Sequence, residues 1–219
     1  MKLTYERSKL HSFSGVIGVD EVGRGCLAGS VVAAAVVFPA EFFFQKKYAP
    51  WVKSVNDSKQ LSGKLREELA EKIFSLSFMC TLAEVNEQII DKINIHNATL
   101  LAMKNAVTKI FTKASSETPK NFLIAVDGKF TIPELAEEQA AIVGGDAKVF
   151  SIAAASIAAK VYRDKLLTKL HVDYPEYNFA KNKGYGTRKH IEAIKTYGLT
   201  PLHRRSFCQN FIQQVTLSE

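Results

Sequence analysis

Residues 15–38 read GVIGVDEVGRGCLAGSVVAAAVVF, and this stretch decides the fold. Its two apolar, partly β-branched runs, residues 15–19 and 29–38, predict two adjacent strands. The glycine-rich segment from Gly23 to Gly25 separates the two runs and predicts the connection between them. The first strand of a buried sheet therefore ends in a pair of acids, Asp20 and Glu21.

A second apolar run, residues 122–126, also ends in an acid, Asp127, which Gly128 follows. Central strands of an α/β sheet converge at a crevice, so Asp20, Glu21 and Asp127 are expected to lie near one another. Neighbouring carboxylates repel each other and are costly to ionise unless cations lie between them. Mg²⁺ accepts carboxylate ligands and keeps waters that a substrate phosphate can displace. The pattern therefore indicates metal-assisted phosphoryl chemistry.

The adjacency of Asp20 and Glu21 sets a condition on this interpretation. Adjacent side chains of a regular strand point to opposite faces, so both acids serve one metal cluster only if the strand bulges or ends there. Gly23 and Gly25 supply the backbone freedom for such an irregularity. Any one of these acids taken alone is better explained as an ordinary turn residue. The acids taken together, with flanking glycines and basic segments, favour the metal site.

The rest of the chain alternates between helix and strand patterns. Ser62 is the expected N-cap of a helix with Leu65, Leu69 and Ile73 on its apolar face. Asp146 comes just before an alanine-rich helix that begins near Phe150 and runs toward Pro175. The other predicted elements are strands at 78–85 and 140–143, a helix at 86–113, and a helix at 188–197 that Thr187 and Gly198 bracket as start and stop signals. This order predicts an α/β protein with a mixed sheet flanked by helices and a C-terminal helical extension.

The bulk composition fits a globular protein of 219 residues with 47% hydrophobic and 23% charged residues. Its net charge of +7 favours polyanionic partners, although charge alone is weak evidence. The three cysteines, widely spaced and without a C-x-x-C motif, indicate reduced thiols, and the histidines show no zinc-ligand spacing. There is no apolar signal segment and no apolar run near the roughly 20 residues of a membrane span. We therefore expect a cytoplasmic protein, neither secreted nor membrane-spanning.

A series of motifs from residue 15 to residue 207 carries a family resemblance. They are GVDEVGRGCLAGSVVAAA at 18–35, NDSKQLS at 56–62, VDG at 126–128, GDAKVFSIAAASIAAKVYRD at 145–164, KGYGT at 183–187 and HRRSF at 203–207. In order and spacing they resemble the ribonuclease HII family. The resemblance implies a ribonuclease H-like catalytic domain at 1–180 and a helical substrate-binding extension at 181–219 packed on it.

The resemblance also implies an activity and a substrate. The family hydrolyses the RNA strand of RNA–DNA hybrids and cuts on the 5′ side of ribonucleotides embedded in duplex DNA. The products would carry 3′-hydroxyl and 5′-phosphate ends, and the biological role would be ribonucleotide removal in DNA repair and replication. We expect a monomer.

Roles for individual residues follow from the same resemblance. Asp20, Glu21, Asp127 and Asp146 look like the four acids that bind two Mg²⁺ or Mn²⁺ ions. The segment Gly23, Arg24 and Gly25 resembles the part that reads the 2′-hydroxyl, and Tyr185 resembles the tyrosine that stacks on the next deoxyribose. The candidate phosphate contacts are Ser58, Lys59, Lys148, Lys183, Arg204 and Arg205. Without the resemblance, the glycines would be a simple turn, Tyr185 a packed loop residue and each basic residue a solvated surface charge.

Several alternatives are open at this stage. A four-acid exonuclease typically begins with Asp-x-Glu, whereas the acids here are adjacent, and a ribonuclease HIII carries a long N-terminal extension. A non-catalytic nucleic-acid-binding module would bind without Mg²⁺ and would not need the acids. Asp164 is interpreted as a structural ion-pair partner rather than a metal ligand. Cys26, Ser30 and Gln209 stand where the family usually has other residues, mainly proline. The tail QNFIQQVTLSE has a faint resemblance to peptides that bind sliding clamps, but an unstructured terminus is preferred.

Overall fold

The computed structural model describes residues 3–55, 58, 61–113 and 121–212. Over these residues a mixed sheet of five strands is flanked by helices, which confirms the predicted fold class. The strands are β1 (Gly15–Val22), β2 (Val31–Val37), β3 (Met79–Val85), β4 (Phe122–Asp127) and β5 (Gln139–Ile142). The helices are α1 (Thr4–Lys9), α2 (Pro50–Ser54), α3 (Gly63–Leu76), α4 (Glu87–Lys113), α5 (Gly145–Lys148), α6 (Phe150–Leu170), α7 (Phe179–Asn182), α8 (Arg188–Tyr197) and α9 (Arg205–Ile212), with 3₁₀ turns at Ala40–Phe44 and Pro175–Tyr177.

The order of strands across the sheet is β3-β2-β1-β4-β5. Strands β1, β2 and β3 form an antiparallel meander, whereas β4 runs parallel to β1, and β5 runs parallel to β4. The register pairs Val19 with Val126 at the end of the β1–β4 ladder. The residues that follow these two are Asp20 and Asp127, so the topology brings the two predicted acidic sites to one edge of the sheet.

Small residues allow the two long helices to lie close to the sheet. On one face, α6 packs its buried Ala153, Ala154 and Ala158 against β1 and β2. A Cβ added to Gly18 would lie 2.0 Å from the carbonyl carbon of Ser151, so only glycine permits this approach. On the other face, α4 contributes a similar alanine-rich surface. The apolar strands are therefore covered on both sides, as their nearly continuous hydrophobicity predicts.

Helix α4 is not the continuous helix that the pattern over 86–113 predicts. Asn94 has φ 64° and ψ 166°, which breaks the helix into two. The Asn94 side chain accepts a hydrogen bond from the Asn97 amide at 3.1 Å and so begins the second helix. Hydrophobic spacing continues across the break, and for that reason the sequence pattern conceals it.

The C-terminal helices pack on one end of the sheet domain. Their apolar side chains, including Tyr177, Phe179 and Ile194, form a cluster with Leu27 and Leu167. The predicted N-cap residues are confirmed: the Ser62 hydroxyl accepts from the Leu65 amide, and the Thr187 hydroxyl accepts from the His190 amide. The proposed domain division at residue 180 stays a prediction. In the described part of the chain, no helix is both long and apolar enough to cross a membrane.

Candidate active site

The candidate site lies where β1 and β4 end. Asp20 is only 5% exposed, and its carboxylate accepts hydrogen bonds from the Glu21 amide and from the Ser156 hydroxyl. Burial raises the pKa of Asp20 well above its usual range, and the negative charges of Glu21 and Asp127 raise it further. Three carboxylates thus share one electrostatic environment, as the strand ends predict.

Asp20 and Glu21 nevertheless keep the alternation of a regular strand. The pairing of β1 with β2 continues without a bulge through Val22, which contradicts the expected irregularity at the acids. Asp20 contacts Ser156 on α6, whereas Glu21 lines a small cavity with α4 side chains on the opposite face. The two acids therefore approach Asp127 from the two sides of the sheet edge, where the β1–β4 ladder has ended.

Glu21 is balanced between attraction and repulsion. Burial raises its pKa, the guanidinium of Arg24 lowers it, and the charge of Asp127 raises it again. The Arg24 guanidinium lies 3.5 Å from the Glu21 carboxylate, and half of the Arg24 side chain is exposed. Arg24 therefore ties the glycine-rich loop to the carboxylates, a contact that explains its position between two glycines.

Asp127 connects the cluster to Asp146. The Gly145 amide donates to Asp127 Oδ1 at 2.7 Å, which fixes the turn that carries the half-buried Asp146. A Cβ on Gly145 would lie 2.6 Å from Ile152 Cδ1 and 3.2 Å from Asp127 Oδ1. Glycine at 145 therefore keeps this turn close to the end of β4, and Asp146 follows directly after it.

Ser58 has a different place from the expected phosphate contact. It is 3% exposed, and its hydroxyl lies 3.0 Å from the hydroxyl of Ser156, which in turn bonds Asp20. Ser58 therefore extends the hydrogen-bond network of the carboxylate cluster instead of lying on the open surface. Lys59, the next residue and also a predicted phosphate contact, lies outside the described residues.

The glycine-rich loop and the Tyr185 loop are joined directly. The Leu27 amide donates to the Gly184 carbonyl at 2.8 Å, and Cys26 forms a bridge with Tyr185. The Tyr185 side chain is 40% exposed, and the Lys160 ammonium lies 5.8 Å from its ring centre. The two elements that the resemblance assigns to the sugar therefore lie side by side.

Two buried arginines hold this arrangement. Arg163 is fully buried and donates to the carbonyls of Ser30, Ala28 and Lys183 at 2.9, 2.9 and 2.7 Å. Its side chain also fills the space beside Gly23, where an added Cβ would lie 2.3 Å from Arg163 Nε at φ +93°. Gly23 is thus required both for its backbone conformation and for the close approach of Arg163.

Arg204 is the second of these arginines, and its predicted phosphate contact is wrong. The side chain is completely buried, and its guanidinium donates to the carbonyls of Gly29 and Arg24. Because the side chain is buried, no donor group is left at the surface for a phosphate. The sequence motif could not show this, since it does not reveal which of its arginines points inward. Arg204 instead connects the C-terminal extension to the glycine-rich loop.

The remaining basic candidates differ in their freedom. Arg205 is exposed, and so is Lys148, whose ammonium also bonds the Val143 carbonyl. The Lys183 ammonium is half-buried and donates to the Thr168 hydroxyl and the Asp164 carbonyl. Their phosphate contacts stay predictions.

The ion pair predicted for Asp164 is confirmed. Its carboxylate lies 2.7 Å from the Lys160 ammonium and 3.7 Å from the Arg66 guanidinium. Arg66 also donates to the carbonyls of Ser58 and Leu61, so it connects this ion pair to the segment that carries Ser58. Asp164 thus has a structural role.

Sequence reasoning missed several residues of the site. Ser156 and Arg163 lie in the alanine-rich motif, but one serine on an apolar helix carries no signal of an acid partner. His96 shows no metal-ligand spacing in the sequence, yet it lines the cavity that holds Glu21 and Asp127 and packs edge-on against Phe130. Lys129, directly after Gly128, lines the same cavity.

The donor set suits a hard divalent ion, but the carboxylates are not yet in ligand positions. Asp20 and Glu21 are buried beside other negative charge, an arrangement that a cation would stabilise. Among the described residues, no three Asp, Glu, His or Cys side chains are already placed to hold one ion. Present partners also occupy oxygens of Asp20, Glu21 and Asp127. An ionised carboxylate has about four acceptor sites, so each acid keeps acceptor sites for an ion beside these partners.

Comparison with solved structures defines the class of protein. The ribonuclease H2 of Pyrococcus horikoshii OT3 superposes with a TM-score of 0.69 and 25% identity, over 92% of this chain and 99% of that chain. Bst-RNase HIII, in a structure in complex with Mn²⁺, superposes with a TM-score of 0.73 and 16% identity, over 94% of this chain and 72% of that one. The second likeness shows a shared fold. The first likeness, together with the carboxylates at the end of β1 and β4, indicates a protein of the ribonuclease H class.

The family follows from sequence comparison. The profile of the Ribonuclease HII family matches residues 17–210. The ribonuclease HII of Chlorobium phaeobacteroides is 47% identical over 94% of this chain and 96% of its own length. That of Pediococcus pentosaceus is 48% identical over 88% of this chain and 69% of its own length. The chain belongs to the ribonuclease HII family and is a ribonuclease H hydrolase.

Proposed function

We propose that the protein is an endonuclease that cuts the RNA strand of RNA–DNA hybrids and the 5′ side of ribonucleotides embedded in duplex DNA. The cut would leave 3′-hydroxyl and 5′-phosphate ends, and the protein would act in ribonucleotide removal from DNA. The observation that carries the proposal is the meeting of Asp20, Glu21 and Asp127 at the ends of β1 and β4 in a chain of this family.

The carboxylates would hold two divalent ions, Mg²⁺ or Mn²⁺. Asp20, Glu21 and Asp127 supply the buried negative charge, and Asp146 follows the glycine whose amide binds Asp127. Held by these carboxylates, the ions would lower the pKa of a bound water and would neutralise charge on the phosphate. Ser156 and Ser58 orient Asp20 through hydrogen bonds, which limits the rotation of its carboxylate.

Recognition of the ribose would come from the joined loops. The β-bridge between Cys26 and Tyr185 joins the segment that follows Gly23 to Gly25 to the residue that carries the partly exposed ring. Backbone groups at glycines approach a sugar closely, and an aromatic ring stacks on it, so the pair suits a test for a 2′-hydroxyl. The side chain of Arg24, in the middle of this loop, contacts the carboxylate of Glu21. Arg24 would therefore link recognition of the sugar to the position of a metal ligand.

The test compares Asp127→Asn with Asp173→Asn, a matched change at an exposed acid outside the site. Each protein is incubated with Mg²⁺ or Mn²⁺ and a DNA duplex that contains one ribonucleotide, and cleavage and binding are measured separately. We expect Asp127→Asn to lose at least about 100-fold in cleavage rate, because the change removes a metal ligand. Binding should be kept, because the basic side chains that would contact the nucleic acid are unchanged. Asp173→Asn should match the wild type.

Two results would contradict the proposal. Absence of cleavage by folded wild-type protein with either metal would support a nucleic-acid-binding module instead. Cleavage of Asp127→Asn at the wild-type rate would remove the carboxylate cluster from the mechanism. A DNA duplex without a ribonucleotide serves as the substrate control and should stay intact.

A further inference from the structure

Two buried histidines behind the Tyr185 loop form a continuous chain of hydrogen bonds. His190 lies in the first turn of α8 and is fully buried, and His203 lies in the turn before α9 and is 3% exposed. Their Nε2 atoms lie 3.0 Å apart. At one end, His190 Nδ1 lies 2.9 Å from the Tyr185 carbonyl oxygen. At the other end, His203 Nδ1 lies 3.0 Å from the Thr200 amide nitrogen and 2.9 Å from the Thr200 hydroxyl, which can donate to it.

The two ends of this chain decide the protonation of both rings. A carbonyl oxygen only accepts, so His190 Nδ1 must carry a proton and donate to Tyr185. A backbone amide only donates, so His203 Nδ1 must be unprotonated and accept from Thr200. A neutral imidazole carries one proton, which places the proton of His203 on Nε2 and leaves His190 Nε2 as its acceptor. Both ends therefore require the same pair of neutral tautomers.

Protonation of either ring would break this arrangement. A charged His190 would present an N–H to the N–H of His203. A charged His203 would present an N–H to the Thr200 amide, which would lose its acceptor, and only the Thr200 hydroxyl could accept from it. We propose that His203 and His190 are positioning residues that hold the main chain at Tyr185 through this one-directional chain. Their role in catalysis rests on the proposed function, because they act through the ring that contacts the sugar.

The surroundings of the pair favour the neutral forms. The rings of Tyr177 and Phe179 pack against both histidines. Tyr177 is the titratable group on that side, and the Arg204 guanidinium is directed away to the carbonyls of Gly29 and Arg24. Burial lowers the pKa of His190, and burial together with His190 lowers the pKa of His203 to about 4.

The pH range of the effect follows from these directions. A histidine whose pKa is lowered on folding stabilises the neutral folded form above its unfolded pKa of about 6.5. That stability is lost as the pH falls from about 6.5 toward about 4, because in this range the unfolded chain binds protons that the folded histidines do not. The histidine chain should therefore be intact at neutral pH and weaken under acid conditions.

The histidine chain matters to Tyr185 because it connects the main chain of that residue to α8. The Tyr185 carbonyl also accepts from the Thr187 amide, and the Tyr185 amide donates to the Asn182 carbonyl. The ring itself is 40% exposed. Loss of the His190 contact would release this carbonyl from α8 while Lys183 and Gly184 keep their bonds to Arg163 and Leu27, so the ring would lose part of its fixed position over the site.

The first test determines the tautomers in the wild-type protein. Nitrogen NMR of the imidazole rings at pH 7 should show a proton on Nδ1 of His190 and on Nε2 of His203, with both rings neutral. The opposite tautomer of either ring, or a charged ring at pH 7, would overturn the proposal. This measurement does not depend on any activity, so it stands even if the proposed function fails.

The second test uses two variants at the same position. His190→Asn places an amide donor where Nδ1 was and keeps the bond to Tyr185, whereas His190→Gln reaches toward His203 and loses that bond. For the single-ribonucleotide duplex, we expect His190→Gln to raise KM about 5- to 10-fold with little change in kcat, the equivalent of one hydrogen bond. His190→Asn keeps the bond to Tyr185 but leaves His203 Nε2 without its acceptor, so it should raise KM less than His190→Gln does, by no more than about 3-fold.

The comparison separates positioning from a general loss of structure. His11→Gln, at an exposed histidine, is the surface control and should change nothing. Equal KM values for the Asn and Gln variants, or a fall in kcat alone, would contradict a positioning role. If wild-type protein binds but does not cleave, the proposed function has failed, and the same ranking is then read from Tyr185 amide exchange. An equal exchange rate in both variants would overturn the proposal.

Discussion

Replacement of Arg163 by methionine removes a guanidinium that connects the segment before β2 to the Tyr185 loop. Its three hydrogen bonds end on the carbonyls of Ala28, Ser30 and Lys183, and methionine keeps only the aliphatic stem. Hydrogen bonds to charged groups contribute about 1.5–3 kcal/mol each. Because the three share one side chain and one desolvation cost, we expect a total loss of about 4 kcal/mol in the free energy of unfolding.

Urea unfolding measures this loss. With a slope of about 2 kcal/mol per molar urea, the midpoint should fall by about 2 M. Cleavage should also be lost under conditions in which the variant is still folded, because the glycine-rich loop and the Tyr185 loop lose their common anchor. Arg188→Met is the control, since its side chain is 88% exposed and should matter by no more than about 0.5 kcal/mol. A loss below about 1 kcal/mol for Arg163→Met would refute the reasoning.

Three further changes test other parts of the structure. Asp20→Asn should raise the melting temperature of the metal-free protein by about 2 °C or more, because burial and neighbouring charge disfavour the ionised carboxylate. Since the folded pKa of Asp20 is raised, wild-type stability falls as the pH rises through that pKa. The difference in melting temperature between the variant and the wild type should therefore be largest at neutral pH and disappear near pH 4. A difference that does not change with pH between 4 and 8 would contradict this. Gly23→Ala should lower the free energy of unfolding by about 1–3 kcal/mol in calorimetry, because Gly23 has a φ of +93° and an added Cβ would meet Arg163. Gly25→Ala should be neutral, because an added Cβ at Gly25 meets nothing within 4 Å. Equal losses for the two variants would count against the loop geometry. Asp164→Asn should lose about 0.5–1 kcal/mol in urea unfolding, because the ion pair with Lys160 is partly exposed, and a loss above about 3 kcal/mol would show a larger role.

The position of the acids could be predicted from the sequence because it depends on chain direction alone. Apolar runs that end at Asp20 and Asp127 become central strands, and parallel strands place both ends at one edge. The caps at Ser62 and Thr187 were predictable for a similar reason, since an N-cap acts within a few residues. Local and directional signals thus carried most of the fold.

The orientation of side chains could not be predicted in the same way. That Asp20 and Glu21 lie on opposite faces depends on the ladder with β2, which no single strand reveals. The burial of Arg204 depends on carbonyls of Gly29 and Arg24 about 180 residues earlier in the chain. Resemblance to a family identifies motifs, but the partner of each donor is decided by packing.

The measurement that tests the account most directly is the position of the cut in an end-labelled DNA duplex with one ribonucleotide. The wild-type protein with Mg²⁺ or Mn²⁺ should give a single nick on the 5′ side of the ribonucleotide, with a 3′-hydroxyl on one fragment and a 5′-phosphate on the other. EDTA should abolish it, as removal of the ions leaves only mutually repelling carboxylates. A nick on the 3′ side, a cut in all-DNA duplex, or cleavage that persists in EDTA would contradict the account.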